Sequence, residues 1–119
     1  MKAVGNSLDL DAGWGAGGAI TLFRMTQSVI ENSQFNENVA NVGIVYYNYD
    51  LNSNGVLNKI KNCNFFNNTA GAVITAYNAT LDLSYTYIGY TKPAHNIAAA
   101  ATLLFSAETS ISHCTFVGS

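Results

Sequence analysis

The 119-residue sequence has little charge, with five Lys and Arg against seven Asp and Glu. So few basic residues leave no electrostatic footprint for nucleic acid or an anionic membrane surface, and neither partner is expected. The longest apolar run, residues 97–105, is about half of what a bilayer-spanning helix requires. Met1-Lys2 is followed by no hydrophobic signal segment, so membrane insertion is not expected, and the chain reads as soluble or as cut from a longer exported one. Two cysteines, Cys63 and Cys114, are too few for a disulfide scaffold and lack the close spacing of a zinc knuckle. No metal or cofactor is expected. What is abundant is apolar: 49% of residues are hydrophobic, which excludes a disordered tail and suits a single domain.

Two short patterns alternate along the chain about four times. The first aligns Ala19–Phe23 with Gly43–Tyr47, Val73–Tyr77 and Ala101–Phe105, each ending on an aromatic ring. The second aligns Ile30–Phe35 with Ile60–Phe65, Leu83–Ile88 and Ile111–Phe116. From the closing aromatic to the opening Ile or Leu of the second pattern the offsets are seven, thirteen, six and six residues, and the return offsets are eight, eight and thirteen. The two outliers mark insertions near residues 48–55 and 90–95, in stretches carrying Asp, Asn, Gly and the only proline, Pro93, all loop residues.

Runs of four to six β-branched and aromatic residues punctuated by turns are strands. A unit of roughly 24 residues cannot bury its apolar face alone, and stacking on its neighbours solves this by in-register parallel pairing at about 4.8 Å. The expected fold is therefore all-β, a parallel β-helix of about four coils over residues 17–119, with residues 1–16 as a cap or lead-in. The Ala-rich run 96–105 is assigned to strand by its alignment. Asn32 and Asn62 are expected at bends, since Asn tolerates left-handed backbone angles and can hydrogen-bond along the stack. Cys63 and Cys114 then share an inward column with Ser33 and Thr86, two coils and about 9 to 10 Å apart, beyond disulfide reach; both should be free thiols. Glu31 beside Lys61, and Lys59 beside Asp82, bring opposite charges together and support the register.

"GGAI" at Gly17–Ile20, "FNEN" at Phe35–Asn38 and "FFNN" at Phe65–Asn68 resemble the GGA-[ILV] and FxxN tandem motifs of the polymorphic outer-membrane protein repeats found in bacterial autotransporter adhesins. The chain is also similar to β-helical adhesin-like proteins with NCTFxNN repeats. The resemblance covers residues 17–116; later repeats depart from it with "TAGAVI", "AAAATLL", "YIGY" and "FVGS". It implies a right-handed parallel β-helix with an adhesive or structural surface role and no catalysis, outside the cell.

The acidic residues are scattered, without the carboxylate cluster of a polysaccharide lyase or hydrolase, so no catalytic residue is assigned. Asp9 and Asp11 read as a solvated cap, and His95 and His113 as surface histidines without a neighbouring nucleophile. Asp50, Asn52, Asn54 and Gly55 match the start of a calcium loop, but its twelfth position is Lys61, which favours a plain Asn-Gly turn. The column Phe23, Tyr47, Tyr77 and Phe105 is the candidate interaction face, for another copy, a neighbouring segment of a longer surface protein or a glycan stacking on rings. Tyr49, Asp50, Asn52, Tyr90 and His95 are candidate loop contacts. Asn67 and Asn78 head N-glycosylation sequons. Gly13-Trp14-Gly15 could cap the first coil, whereas "CTFVGS" supplies no polar cap at the other end, and uncapped strands invite pairing. Two alternatives to a structural or adhesive module are a carbohydrate-binding module built on the aromatic column and, disfavoured by the missing carboxylate cluster, a polysaccharide lyase- or hydrolase-like β-helix.

Overall fold

The computed structural model describes residues 1–6, 18–25, 27–40, 43–50, 58–77, 79–92, 101–105 and 109–117. Among them the chain is all-β, with no helix. The strands are β1 (Lys2–Val4), β2 (Ile20–Met25), β3 (Ser28–Glu31), β4 (Gln34–Asn36), β5 (Val39–Ala40), β6 (Val45–Asp50), β7 (Asn58–Lys61) and β8 (Asn64–Phe66). They continue as β9 (Thr69–Ala70), β10 (Ala72–Tyr77), β11 (Leu81–Ser84), β12 (Tyr87–Gly89), β13 (Ala101–Phe105), β14 (Thr109–Ser112) and β15 (Thr115–Val117). Three sheets are ordered β2-β6-β10-β13, β3-β7-β11-β14 and β1-β4-β8-β12-β15, with β5-β9 a fourth. All pairings are parallel and join equivalent strands of successive sequence repeats.

The second pattern pairs as expected. Ile30, Ile60, Leu83 and Ile111 form one file, and Phe35, Phe65, Ile88 and Phe116 another. Phe35 and Phe65 are fully buried and stack face to face with centroids 4.5 Å apart. Between these files the chain bends at Asn32, Asn62, Tyr85 and His113, all with φ near +50°. The Asn62 side-chain amide donates to Asn32 Oδ1 at 2.7 Å, the ladder anticipated for these residues.

The column after the bend does more than fill a narrow space. Ser33 Oγ donates to Glu31 O (2.8 Å), Cys63 Sγ to Lys61 O (3.4 Å), Thr86 Oγ1 to Ser84 O (2.9 Å) and Cys114 Sγ to Ser112 O (3.2 Å). Each closes the bend onto a carbonyl two residues back, the local bond that Ser and Thr favour at turns. Both cysteines are free, and Thr86 lies between them in the register.

A second bend follows β1, β4, β8 and β12, at Gly5, Glu37, Asn67 and Tyr90, again with positive φ. Behind it runs an interior amide ladder. The N–H and Nδ2 of Asn6 donate to Asn38 Oδ1 at 3.0 and 2.9 Å, and those of Asn38 donate to Asn68 Oδ1 at 3.0 and 3.2 Å. Asn38 and Asn68 are wholly buried, and their remaining donors reach Ala3 O and Phe35 O, so the cost of burying two amides is met.

Three expectations need correction. The first pattern is slipped by one residue: Leu22, Tyr47, Ala76 and Phe105 form one file, while Phe23 pairs with Asn48 and Asn48 with Tyr77. The strand start is set by glycine contact instead of the closing rings. Gly18 N donates to Gly43 O at 2.8 Å, and a Cβ on Gly18 would lie 2.9 Å from Ala40 Cβ. A slip of one residue sends alternate side chains to the opposite face, so the four aromatics form no single column. Residues 1–6 extend the fold instead of leading into it, because β1 pairs with β4 and Asn6 joins the amide ladder. Finally, the insertions start later than expected: β6 runs through Tyr49 to Asp50, and Thr69 pairs with Lys92.

Candidate functional site

Of the proposed aromatic face, Tyr47 is 1% exposed and belongs to the core, while Tyr77 is 45% exposed at the end of β10. Residues 72–76 of β10 are all buried within the single chain. Successive residues of a strand face opposite ways, so this sheet is already covered on both sides there and offers no face to a ligand. Tyr49 and Asp50 lie on a strand, whereas Asn52, Asn78 and His95 fall outside the described residues, as do Asp9, Asp11, Trp14 and most of the calcium-like stretch. Tyr90 and Asn67 are exposed, one strand apart at the second bend.

The buried polar groups are chemically quiet. Burial pushes the Tyr47 phenol far above its ordinary pKa, with the Ser28 side chain opposing the rise only in part. Ser28 Oγ gives its own proton to Asn58 Oδ1 at 2.7 Å, and the Tyr47 hydroxyl completes no hydrogen bond of good geometry. Cys63 is 1% exposed. Burial also raises its pKa, against weaker opposition from hydrogen bonds at Ser33 and Lys61, which keeps it the unreactive thiol. Among the described residues no group of His, Cys, Asp and Glu could hold a metal ion, and no helix is long and apolar enough to cross a membrane.

The described outer surface is shaped at the β3-β7-β11-β14 sheet and its adjoining bend. A shallow groove of about 440 Å³ is floored by Glu31, Lys59, Lys61 and Asp82 and bordered by Tyr85 and His113. The files follow from strand alternation: Ile30, Ile60 and Leu83 point inward and are buried, leaving Glu31 beside Lys61 and Lys59 beside Asp82 outside. At the bend the Tyr85 and His113 rings stack with centroids 4.7 Å apart and planes 4° from parallel. A second depression, of about 450 Å³, continues past the bend along Asn32, Asn62 and Tyr85. Across that bend, on the outer side of β12, Tyr85, Tyr87 and Tyr90 lie one strand from Asn62, Asn64 and Asn67.

The charge pairing was legible in the spacing, and the Tyr85–His113 stack was available from the same alignment, since both residues share the file of Asn32 and Asn62. The second bend gave no such warning: Glu37 and Tyr90 are not residues that announce a left-handed turn. Comparison with known protein families, with characterised proteins and with solved structures returns no match.

Proposed function

We infer that the chain is a right-handed parallel β-helix segment acting as a non-catalytic structural or adhesive module, part of a surface protein or of a self-assembling filament or sheath. Three sheets sharing one strand order, joined by bends at matched positions, support successive coils about one axis, and parallel crossover connections are overwhelmingly right-handed. The observation that carries the assembly reading is the outermost strand pair. Ile111 and Phe116 are 46% and 43% exposed, whereas Leu83 and Ile88, their partners one strand inward, are 0% and 2% exposed. A further strand on the β14 and β15 edge would bury the former as β11 and β12 are buried, with an apolar gain of about 25 cal/mol per Å² covered.

Sedimentation velocity over a wide concentration range, with electron microscopy of the same samples, tests this reading. Concentration-dependent species elongated along one axis are expected; isolated monomers at the highest concentrations would count against it. Placement outside the cell rests on the resemblance of GGAI, FNEN and FFNN to surface-protein repeats, and antibody labelling of intact cells that matches only permeabilised controls would remove it.

A further inference from the structure

We propose that the outer face of β8 and β12 is a binding site for an uncharged, hydroxyl-rich saccharide chain, formed by two facing rows, Tyr85, Tyr87 and Tyr90 against Asn62, Asn64 and Asn67. The rows are built by the register: Tyr87 pairs with Asn64, while Tyr85 and Tyr90 occupy the bends directly beside Asn62 and Asn67. Tyr85 and Tyr90 are 55% and 61% exposed, and all three asparagines are exposed.

The third repeat departs from the second in a way that core packing does not require, and the fourth repeat likewise places an aromatic residue, His113, at the first bend. At both bends the third repeat carries a tyrosine with φ of +49°, a backbone conformation that bulky residues rarely adopt and that Asn accepts readily. The second repeat has Asn at both positions, with φ of +53° and +55°. Strain of this kind is tolerated where a side chain serves another purpose. Between the bends the Tyr87 ring lies across Gly89: a Cβ there would meet the Tyr87 hydroxyl at 2.5 Å and its ring carbons at 2.8 and 2.9 Å. Gly89 thereby lets an aromatic ring lie against the strand as part of a platform.

The occupant follows from the chemistry of the rows. Rings with polar tips provide apolar faces for the C–H side of a pyranose, and amides beside them supply paired donors and acceptors for its hydroxyls. The separation of the two rows, about 4.8 Å from strand to strand, brings both kinds of contact within one sugar ring. None of the six side chains is charged, and Glu31 and Lys61, which adjoin Tyr85 and Asn62, are register partners of opposite sign, which matches a neutral ligand. The asparagines border the rings on one side and His113 stacks on Tyr85 on the other, instead of the continuous apolar patch that a protein interface buries at its centre.

This site does not depend on self-assembly, so it is tested on the full chain at a dilution where sedimentation shows monomer. Isothermal titration with cellohexaose, maltohexaose and mannohexaose, with trigalacturonate as the anionic comparison, should give saturable binding to at least one neutral hexaose and less to the anion. Tyr85→Asn combined with Tyr90→Asn, which copies the second repeat, should weaken that binding about tenfold or more while leaving the melting temperature unchanged or higher. Gly89→Ala should weaken it too, by displacing the Tyr87 ring. Silence with all three neutral hexaoses, preference for the anion, or undiminished binding by the double variant would overturn the proposal.

Discussion

Replacing Asn68 with alanine tests whether the buried amide ladder holds successive repeats together. Asn68 Oδ1 accepts from the Asn38 backbone N–H at 3.0 Å and from Asn38 Nδ2 at 3.2 Å, and Asn68 Nδ2 donates to Phe35 O at 3.1 Å. All three bonds vanish in Asn68→Ala, at about 1 kcal/mol each. The Asn38 N–H is then left in a site with no access to water, and an orphaned buried donor costs a further 1–3 kcal/mol or so. The expected loss is about 4–6 kcal/mol, which at a urea m-value of about 2 kcal/mol/M lowers the unfolding midpoint by about 2–3 M. The control is Asn62→Gly. It deletes the exposed Asn62–Asn32 bond but relieves a φ of +53°, so the two effects offset to within about 0.5 kcal/mol. Urea titration followed by far-ultraviolet circular dichroism measures both. A loss below about 1 kcal/mol for Asn68→Ala, or equal losses for the two variants, would refute the reasoning.

The Tyr47 hydroxyl is buried and completes no hydrogen bond, so Tyr47→Phe should be neutral or stabilising by up to about 1 kcal/mol; a loss above 1 kcal/mol in the same titration would mean that the hydroxyl has a partner. The raised pKa values of Tyr47 and Cys63 favour their neutral forms in the folded state. Their contribution is therefore fully present below the unfolded thiol's pKa of about 8.5 and is lost at higher pH. Stability should fall above that value, and Cys63→Ser should flatten the onset of the fall; an unchanged pH profile would exclude Cys63 as its source. With Ellman's reagent at neutral pH the half-buried Cys114 should react well before the buried Cys63, and the reverse order would contradict the burial described. Phe65→Ala removes one member of the buried stack and should cost about 3–5 kcal/mol by thermal or urea unfolding; a cost under 1 kcal/mol would place the ring elsewhere.

The second pattern was readable because its spacing is short and constant. Ile30 to Phe35 and Ile60 to Phe65 enclose a bend whose Asn tolerates positive φ, so the chain has one way to bring both apolar residues inward. The first pattern lacked such a constraint. Its strands are apolar at nearly every position, as the continuous burial of residues 72–76 shows, and where both faces are buried the alternation that fixes register carries no signal. Nothing local marks Asn48, between Tyr47 and Tyr49, as the partner of Phe23 and Tyr77, and the contact that sets the register, Gly18 against Gly43 and Ala40, is long-range. The rows at β8 and β12 were implicit in the aligned repeats, but Tyr90 lay in a stretch assigned to an insertion. The pairings of Gly89 with Phe66 and of Thr69 with Lys92 return it to the bend beside Asn67.

The in-register stacking of successive repeats is tested most directly by disulfide trapping in a Cys63→Ser, Cys114→Ser background. Glu31 and Lys61 are register partners on adjacent strands, and Ser84 lies one strand further on. Cysteines substituted at 31 and 61 would sit about 4.8 Å apart, within bridging range, and those at 31 and 84 about twice as far, beyond it. Under mild oxidation the account predicts an intramolecular bridge in Glu31→Cys/Lys61→Cys and none in Glu31→Cys/Ser84→Cys. A bridge in the second pair, or its absence from the first, would contradict it.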